Sequence, residues 1–205
     1  DVSFEAVSQA LRTRIQTRCR HPGDLLSAAI LAYGDVTGAL NPQVKGWVEK
    51  TPYDETYADQ IFAWWPQARC IHVVRDPRDN YISYRKKHPD WSPRVFARSW
   101  EDSTKWGMQN QAKYGAERYW VVRYEDFVSQ PEQGVVNLCN FLGIVEAQTL
   151  RVPTRNGKAW QGNSMFSNRF DAISAEAVGR WQDRLSPTEI AMIEVIDGAL
   201  MKSLG

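Results

Sequence analysis

Apolar residues recur every three or four positions along several stretches of this chain, which is the spacing of one helix face. At several predicted starts a proline follows a polar capping residue, and proline suits the first turn because the N–H it lacks has no partner there. The pattern predicts helices over 3–18, 24–33, 55–65 and 131–143, one opening at Asp76-Pro77, a long one opening at Ser92-Pro93, and a last one after the capping box 186–189.

Three shorter apolar runs have the length and composition of strands. Residues 70–74 (CIHVV) form a continuous apolar run, which is typical of a strand buried on both faces of a sheet. Residues 44–50 and 118–126 are predicted as the other two strands. Because strands and helices alternate, we predict an α/β fold with a parallel sheet flanked by helices. We expect residues 1–205 to form a single domain.

The charge balance indicates no nucleic-acid partner. The 205 residues carry 25 Lys and Arg against 24 Asp and Glu, so an anionic ligand must be held by a local cluster of donors. No apolar run approaches the length of a membrane span, and no signal peptide is visible, so the cytoplasm is the default expectation. The three cysteines lack metal-ligand spacing, and we predict no metal site.

Charged side chains follow the predicted strands at Lys50, Arg75 and Arg123-Tyr124. Ligands of parallel sheets bind at the carboxyl ends of the strands. Arg75 precedes a helix start, where its guanidinium and the helix dipole both favour an anion, and Ser83 lies eight residues further on. Such a pair would suit a tetrahedral anion. Alternatively, Arg75 pairs with Asp76 or Asp79 and Ser83 is merely a small residue, and the pair alone leaves both interpretations open.

Further motifs accompany this pair: Lys50-Thr51-Pro52 upstream, RYEDFVSQPEQGVVNLCNFLGI over 123–144, and GNS (162–164) followed by VGRWQDRLS (178–186). In their order and spacing, from Val44 to Gly205, they resemble the sulfotransferase family that uses 3′-phosphoadenosine-5′-phosphosulfate (PAPS). The resemblance implies the P-loop-kinase-like α/β fold of that family. It also implies transfer of a sulfuryl group from PAPS to an acceptor hydroxyl, with release of 3′,5′-bisphosphoadenosine (PAP).

The resemblance assigns roles to individual residues. It implies that Arg75 and Ser83 clamp the 3′-phosphate of the donor and that Tyr124 lies on the adenine side of the nucleotide. Lys50 matches the lysine that approaches the transferring sulfuryl group, where a cation stabilises charge on the bridging oxygen. The alternatives are a Tyr124 that covers the core and a solvated Lys50 paired with Glu49.

Four residues of the 155–164 segment complete the implied site. Ser164, or its neighbour Asn163, falls where some relatives place a polar group beside the leaving group. Arg155 and Lys158 lie in a glycine-containing loop that matches a basic loop at the 3′-phosphate in the cytosolic relatives. A solvated loop is the alternative for these two cations.

Two family features are not found in the sequence. The 5′-phosphosulfate loop is absent, and the resemblance implies that it precedes Asp1 in a longer protein. Pro52 occupies the position at which cytosolic members of the family have a catalytic histidine. This is expected for the branch that contains bacterial, glycan and protein-tyrosine enzymes. The base of that branch is a glutamate beyond the 5′-phosphosulfate loop. Glu49, Asp54 and Glu55 are candidate bases within this chain because they lie close to the lysine in sequence.

The acceptor is expected to be a hydroxyl of a small molecule, a glycan or a peptide, with Trp91 and Trp160 as candidate contacts. His72 is expected to be a hydrogen-bonded core residue, and His88 has no partner visible in the sequence. Two other functions remain open. One is a catalytically inactive PAP-binding module, which Pro52 favours, and the other is a nucleotide-dependent kinase of related fold, although the chain has no GxxxxGK[ST] motif.

Overall fold

The computed structural model describes residues 2–152, 154–155, 158–160 and 171–205. The chain divides into two compact units, Asp1–Ala68 and Arg69–Gly205, which are described separately below. Within the described residues, no helix combines the length and the apolar character that crossing a membrane would require.

The first unit is helical. Its elements are α1 (Phe4–Arg18), α2 (Pro22–Thr37), a 3₁₀ helix (Asp54–Tyr57) and α3 (Ala58–Trp64). Ser3 caps α1 by accepting the backbone N–H of Ala6, and a 2.6 Å ion pair between Arg14 and Asp35 joins α1 to α2. The three helices predicted for this region are therefore confirmed, with α2 longer than expected at both ends.

The strand predicted over 44–50 is wrong. These residues are extended but belong to no sheet, and the Val48 side chain is 91% exposed. A strand needs a neighbour for its backbone N–H and C=O groups, and no described residue of this unit forms a strand. The ring of Trp47 instead packs edge-on against Trp65, with 5.4 Å between the ring centroids.

The second unit mixes strands and helices. Its elements are β1 (Cys70–Val74), α4 (Pro77–Lys87), α5 (Pro93–Tyr114), β2 (Tyr119–Arg123), α6 (Tyr124–Ser129), α7 (Pro131–Leu142), a 3₁₀ helix (Gln148–Arg151), β3 (Thr154–Arg155), β4 (Lys158–Ala159), α8 (Trp181–Arg184) and α9 (Pro187–Leu204). The α/β class with helices flanking a small parallel sheet is thus confirmed.

Strands β1 and β2 pair in parallel, in a register that runs from Cys70 opposite Tyr119 to Val74 opposite Arg123. Helices α4 and α5 form the crossover between them, as a parallel pair requires. Burial of β1 on both faces is wrong, because Ile71 is 39% and Val73 60% exposed. These two alternate residues share one face, which is partly exposed, whereas Val74 faces the core.

The strand predicted over 118–126 is too long. The backbone leaves the sheet after Arg123, and Tyr124 is the first residue of α6. The acidic pair Glu125 and Asp126 then occupies the first turn of this helix, where the dipole favours negative charge. Tyr124 therefore lies at a strand-to-helix junction rather than within a strand.

The core of the second unit lies between β1, α4, α5 and α9. It consists of Val74, Tyr81, Ile82, Phe96, Ala97, Trp100, Leu185 and Ile193. The predicted helix caps are confirmed: Asp76 accepts from Arg78, Ser92 accepts from Val95, and Ser186 forms a capping box with Glu189. Val74 packs in this core and thereby holds the end of β1 in place. Arg75, the next residue, therefore has a fixed backbone position.

Candidate functional site

Arg75 occupies the carboxyl end of β1 and is held by three contacts. Its backbone carbonyl accepts a 2.8 Å hydrogen bond from Nε1 of Trp100, and its Nη2 donates to the carbonyl of Ala177 at 2.7 Å. Its guanidinium carbon lies 4.8 Å from the centre of the Tyr124 ring, within range of a cation–π interaction. Its Nε is shielded from solvent and has no hydrogen-bond partner in the described part of the chain.

Among the described residues no salt bridge joins Arg75 to Asp76 or Asp79, although the charge of Arg75 acts on the Asp79 carboxyl. The Asp76 carboxylate is bound by Arg78, through Nε at 3.0 Å and Nη2 at 2.6 Å, besides capping α4. Asp79 accepts two backbone N–H groups instead, from Gly179 at 2.7 Å and Trp181 at 2.9 Å. Both carboxylates thus have other hydrogen-bond donors, and Nε of Arg75 stays without a hydrogen-bond partner among the described residues.

Asp79 is almost fully buried, at 2% exposure. Burial raises the pKa of its carboxyl above the ordinary value, while its hydrogen bonds from Gly179 and Trp181 and the nearby charge of Arg75 act in the opposite direction. Through its two hydrogen bonds, the Asp79 carboxylate joins α4 to the 177–181 segment. The same segment holds the side chain of Arg75.

Ser83 lies one helical turn beyond Asp79, on the same face of α4. Its side chain is half-buried, and within the described residues its hydroxyl has no hydrogen-bond partner. No hydrogen bond joins Ser83 to Arg75. The structure therefore places one donor, Arg75, just before α4 and the other, Ser83, inside α4, with no hydrogen bond between them.

A cavity of about 150 Å³ opens where β1 and β2 end. It is lined by Val74, Arg75, Asp76, Pro77, Arg78, Trp100, Arg123, Glu125, Met201, Leu204 and Gly205. Glu125 accepts the backbone N–H of Asp76 at 2.9 Å, which ties the start of α6 to the start of α4. The volume suits a phosphate-sized group rather than a whole nucleotide, since pockets for larger ligands exceed about 300 Å³.

In the first unit, the acidic residues beside Lys50 interact with one another. Glu49 accepts a hydrogen bond from the hydroxyl of Thr51. Burial, and then a hydrogen bond and repulsion from Glu49, raise the pKa of Asp54 to about 6. Lys50 is exposed and forms no ion pair within the part of the chain that the structure describes, so pairing with Glu49 is not observed.

The predicted residues of the 155–164 segment are described only in part. Arg155 and Lys158 oppose each other in the antiparallel pair of β3 and β4. Ser164 and Asn163 lie outside the described residues.

The remaining aromatic and histidine candidates of the second unit make packing contacts. His72 Nδ1 lies 3.2 Å from the Tyr119 hydroxyl, so the predicted hydrogen bond is confirmed. The sequence showed no partner for His88, and in the structure its ring stacks on Tyr84 with 4.4 Å between centroids. Trp91 packs against the same Tyr84 ring at 4.8 Å. Trp160 is 38% exposed.

In the described residues, no cluster of His, Cys, Asp and Glu has a metal-binding arrangement.

Three residues around Arg75 were missed by the sequence analysis. Trp100 and Glu125 hold the C=O and the N–H of the peptide bond between Arg75 and Asp76, and Ala177 accepts from the Arg75 side chain. The sequence contains no signal for the carbonyl of Ala177, because a backbone acceptor is independent of residue type. The acidic Glu125 directly after the predicted binding tyrosine was a signal that the sequence analysis did not use.

Comparison with known proteins identifies the family. Residues 7–147 match the family model described as the sulfotransferase family, and this span is more than half of the chain. The chain therefore belongs to the sulfotransferase family. No curated protein matches it.

Two solved structures share the fold. A sulfotransferase domain from the curacin biosynthetic pathway is 18% identical, with a TM-score of 0.59, over 98% of this chain and 81% of that domain's chain. A sulfotransferase domain from the olefin synthase of Synechococcus PCC 7002 is 20% identical, with a TM-score of 0.56, over 91% of this chain and 74% of the other. At these identities the likeness concerns the fold.

Proposed function

We propose that this sulfotransferase uses PAPS as donor and a hydroxyl group as acceptor, and that it releases PAP. We propose further that residues 1–205 act together as one sulfotransferase domain. The observation that carries the donor assignment is Arg75, a guanidinium at the carboxyl end of a parallel strand whose Nε is buried without a partner among the described residues. A buried N–H group without an acceptor costs free energy, and an anion that enters there would relieve this cost.

The arrangement around Arg75 favours the 3′-phosphate as this anion. At the N-terminus of α4, Pro77 has no N–H and the N–H of Arg78 is capped by Asp76. The side chain of Arg75 is therefore the proposed main donor. A charge-assisted hydrogen bond of this kind contributes about 1.5–3 kcal/mol, enough to separate PAP from a nucleotide that lacks the 3′-phosphate.

Ser83 is proposed as the second donor to the same phosphate. Its hydroxyl is half-buried and has no hydrogen-bond partner in the described residues, and it shares the face of α4 that carries Asp79. Tyr124 is proposed to border the adenine side, since its ring already contacts the guanidinium of Arg75. Arg155 and Lys158 are proposed to add charge around the 3′-phosphate.

The proposed reaction is an in-line displacement at sulfur. The bond between sulfur and the bridging phosphate oxygen breaks, the acceptor oxygen bonds to sulfur, and the acceptor proton passes to a base. Lys50 is proposed to stabilise the charge that develops on the bridging oxygen, assisted by Ser164 or Asn163. Among the chain's own carboxylates, Glu49 and its partner Asp54 are proposed as the base, because a group with a pKa of about 6 accepts a proton readily near neutral pH.

Calorimetric titration with PAP and with ADP tests the donor assignment. PAP is expected to bind more tightly than ADP, and Arg75→Ala and Ser83→Ala are each expected to weaken PAP about ten- to a hundredfold with much less effect on ADP. Arg98→Ala removes an exposed arginine of α5 and serves as the matched control for loss of charge. Equal affinities for PAP and ADP in the parent protein would overturn the proposal and favour the kinase alternative.

Release of PAP from PAPS in the presence of a panel of acceptor alcohols tests catalysis separately. Turnover with at least one acceptor supports the enzyme. PAP binding without any turnover would favour the inactive binding module.

A further inference from the structure

Asp79 makes contacts that the proposed reaction does not use directly. Its two carboxylate oxygens accept the backbone N–H groups of Gly179 and Trp181, which lie about one hundred positions away in sequence. The side chain is buried at 2% exposure, and within the described residues it forms no salt bridge. A buried carboxylate is costly unless its oxygens are satisfied, and here each oxygen has one backbone donor.

The segment that Asp79 holds also holds Arg75. Two residues before Gly179, the carbonyl of Ala177 accepts the hydrogen bond from Nη2 of Arg75. Two further contacts stabilise the segment: the guanidinium of Arg78 lies 3.8 Å from the centre of the Trp181 ring, and Nε of Arg180 donates to the carbonyl of Glu176. The position of the Ala177 carbonyl therefore depends on the anchoring of the residues that follow it.

We propose that Asp79 is a positioning residue for the donor site: it fixes the 177–181 segment, and the Ala177 carbonyl then fixes the guanidinium of Arg75 in the orientation that binds the 3′-phosphate. This inference rests on the proposed use of PAPS. Asp79 does not touch the phosphate. It acts through a backbone carbonyl, and its contribution is orientation of Arg75 before the ligand arrives, which lowers the entropic cost of binding.

The chemistry of the anchor explains why a carboxylate is needed. Two N–H groups point at one side chain from the same segment, and a carboxylate has an acceptor oxygen for each. An asparagine of the same size has a single acceptor, and its NH₂ group would face one of the two N–H donors. Asp79→Asn is therefore expected to release one end of the segment while it keeps the side-chain volume.

The mobility of the Arg75 side chain tests the inference without any nucleotide. In the full chain, NMR relaxation of the Arg75 Nε–H group is expected to report a restricted side chain. In Asp79→Asn the same group is expected to become mobile. PAP affinity is then expected to fall about three- to tenfold while ADP affinity changes little. In the Arg75→Ala background, Asp79→Asn is expected to have no further effect on PAP, because the residue through which it acts is absent.

Ile193→Val is the matched control, because it removes a methyl group from the same core and lowers stability while it leaves both hydrogen bonds of Asp79 to the 177–181 segment in place. It is expected to leave both the mobility of Arg75 and the preference for PAP unchanged. Asp79→Asn with a restricted Arg75 and an unchanged PAP preference would overturn the positioning role and leave the donor assignment intact. Equal binding of PAP and ADP by the parent protein would instead overturn the donor assignment, while the mobility of Arg75 would still decide whether Asp79 positions it.

Discussion

The guanidinium of Arg75 lies 4.8 Å from the centre of the Tyr124 ring, although the two residues follow different strands. The parallel register explains this contact, since Val74 is opposite Arg123 and the next residue of each strand leaves the sheet on the same edge. The Tyr124 ring covers one side of the Arg75 guanidinium. A ligand therefore approaches the guanidinium from its other sides.

Replacement of Tyr124 separates the ring from its hydroxyl. Tyr124→Leu is expected to weaken PAP about three- to tenfold, because an exposed cation–π contact contributes about 0.5–1 kcal/mol and the flat surface for adenine is also lost. Tyr124→Phe is expected to bind PAP like the parent protein, and calorimetry measures both. A Phe variant as weak as the Leu variant would show that the hydroxyl, not the ring, is what matters.

Lys50 is predicted to act in the transition state rather than in ground-state binding. Lys50→Met is expected to reduce the release of PAP from PAPS by about a hundredfold or more, while PAP affinity changes little. Lys45→Met, a change of another exposed lysine in the same extended segment, is the control and is expected to retain turnover. Full activity of Lys50→Met with any acceptor would remove Lys50 from the mechanism.

Asp54 is predicted to titrate above the ordinary range of an aspartate. Since burial and Glu49 raise the pKa of Asp54 to about 6, an NMR titration of the Asp54 carboxyl carbon is expected to show an apparent pKa near this value. Glu49→Gln is expected to bring the pKa of Asp54 down toward its ordinary range. An Asp54 pKa near 4 in the parent protein would contradict the proposed base, because such a group holds a proton too weakly at neutral pH.

Asp197 is predicted to make stability depend on pH. It is fully buried in α9, and both of its oxygens lack a hydrogen-bond partner within the described residues. Burial and then repulsion from Glu101 raise its pKa to about 7, against the opposing charges of Arg98 and Lys105. Because the folded state holds the proton that the unfolded state releases near pH 4, stability is expected to fall as pH rises from about 4 to about 7.

Urea unfolding at several pH values measures this dependence. Asp197→Asn is expected to flatten the profile and to raise the free energy of unfolding at pH 8 on the order of 2 kcal/mol. Asp102→Asn changes an exposed carboxylate on α5 and is expected to leave the profile as it is. A profile of Asp197→Asn that parallels the parent protein would refute the assignment.

Gly179 is predicted to be required for its backbone conformation alone. Its φ is +77°, and a Cβ built there would meet no atom of the described residues within 4 Å. Gly179→Ala is therefore expected to lower the free energy of unfolding by about 1 kcal/mol through strain. Gly198→Ala offers the opposite control, since that glycine also has open space around its Cβ but lies inside α9, where alanine is expected to stabilise by about 0.5–1 kcal/mol. Equal effects of the two substitutions would contradict the explanation.

The sequence predicted those features that local patterns determine. Helices with a proline after a capping residue were located well, because Asp76, Ser92 and Ser186 each satisfy an N–H within the next three positions. The strand predicted over 44–50 was wrong, because apolar residues alone do not provide a strand with a pairing partner. Burial of β1 was overestimated for a similar reason: Ile71 and Val73 belong to one face, and a sequence does not show whether an element covers that face.

The sequence allowed Arg75 to be predicted as a site residue, but it did not allow the contacts around Arg75 to be predicted. Arg75 follows an apolar run and precedes Asp-Pro, which are neighbours in the sequence. Its contacts with Tyr124 and Ala177 depend on strand register and on the path of the 177–181 segment, which are set by tertiary packing. Asp76 and Asp79 lie close to Arg75 in the sequence and were therefore considered as its partners. In the structure Asp76 binds Arg78, and Asp79 accepts backbone N–H groups.

The large sequence separation of these contacts bears on how the site assembles during synthesis. The hydrogen bonds from Arg75 to Ala177 and from Gly179 to Asp79 join residues 102 and 100 positions apart. A nascent chain that has passed α5 has made Arg75 but not the carbonyl that holds it, so its arginine samples many orientations. The ribosome must release residues 177–181 before an anion-binding geometry exists, and the site is therefore among the last parts of the second unit to form.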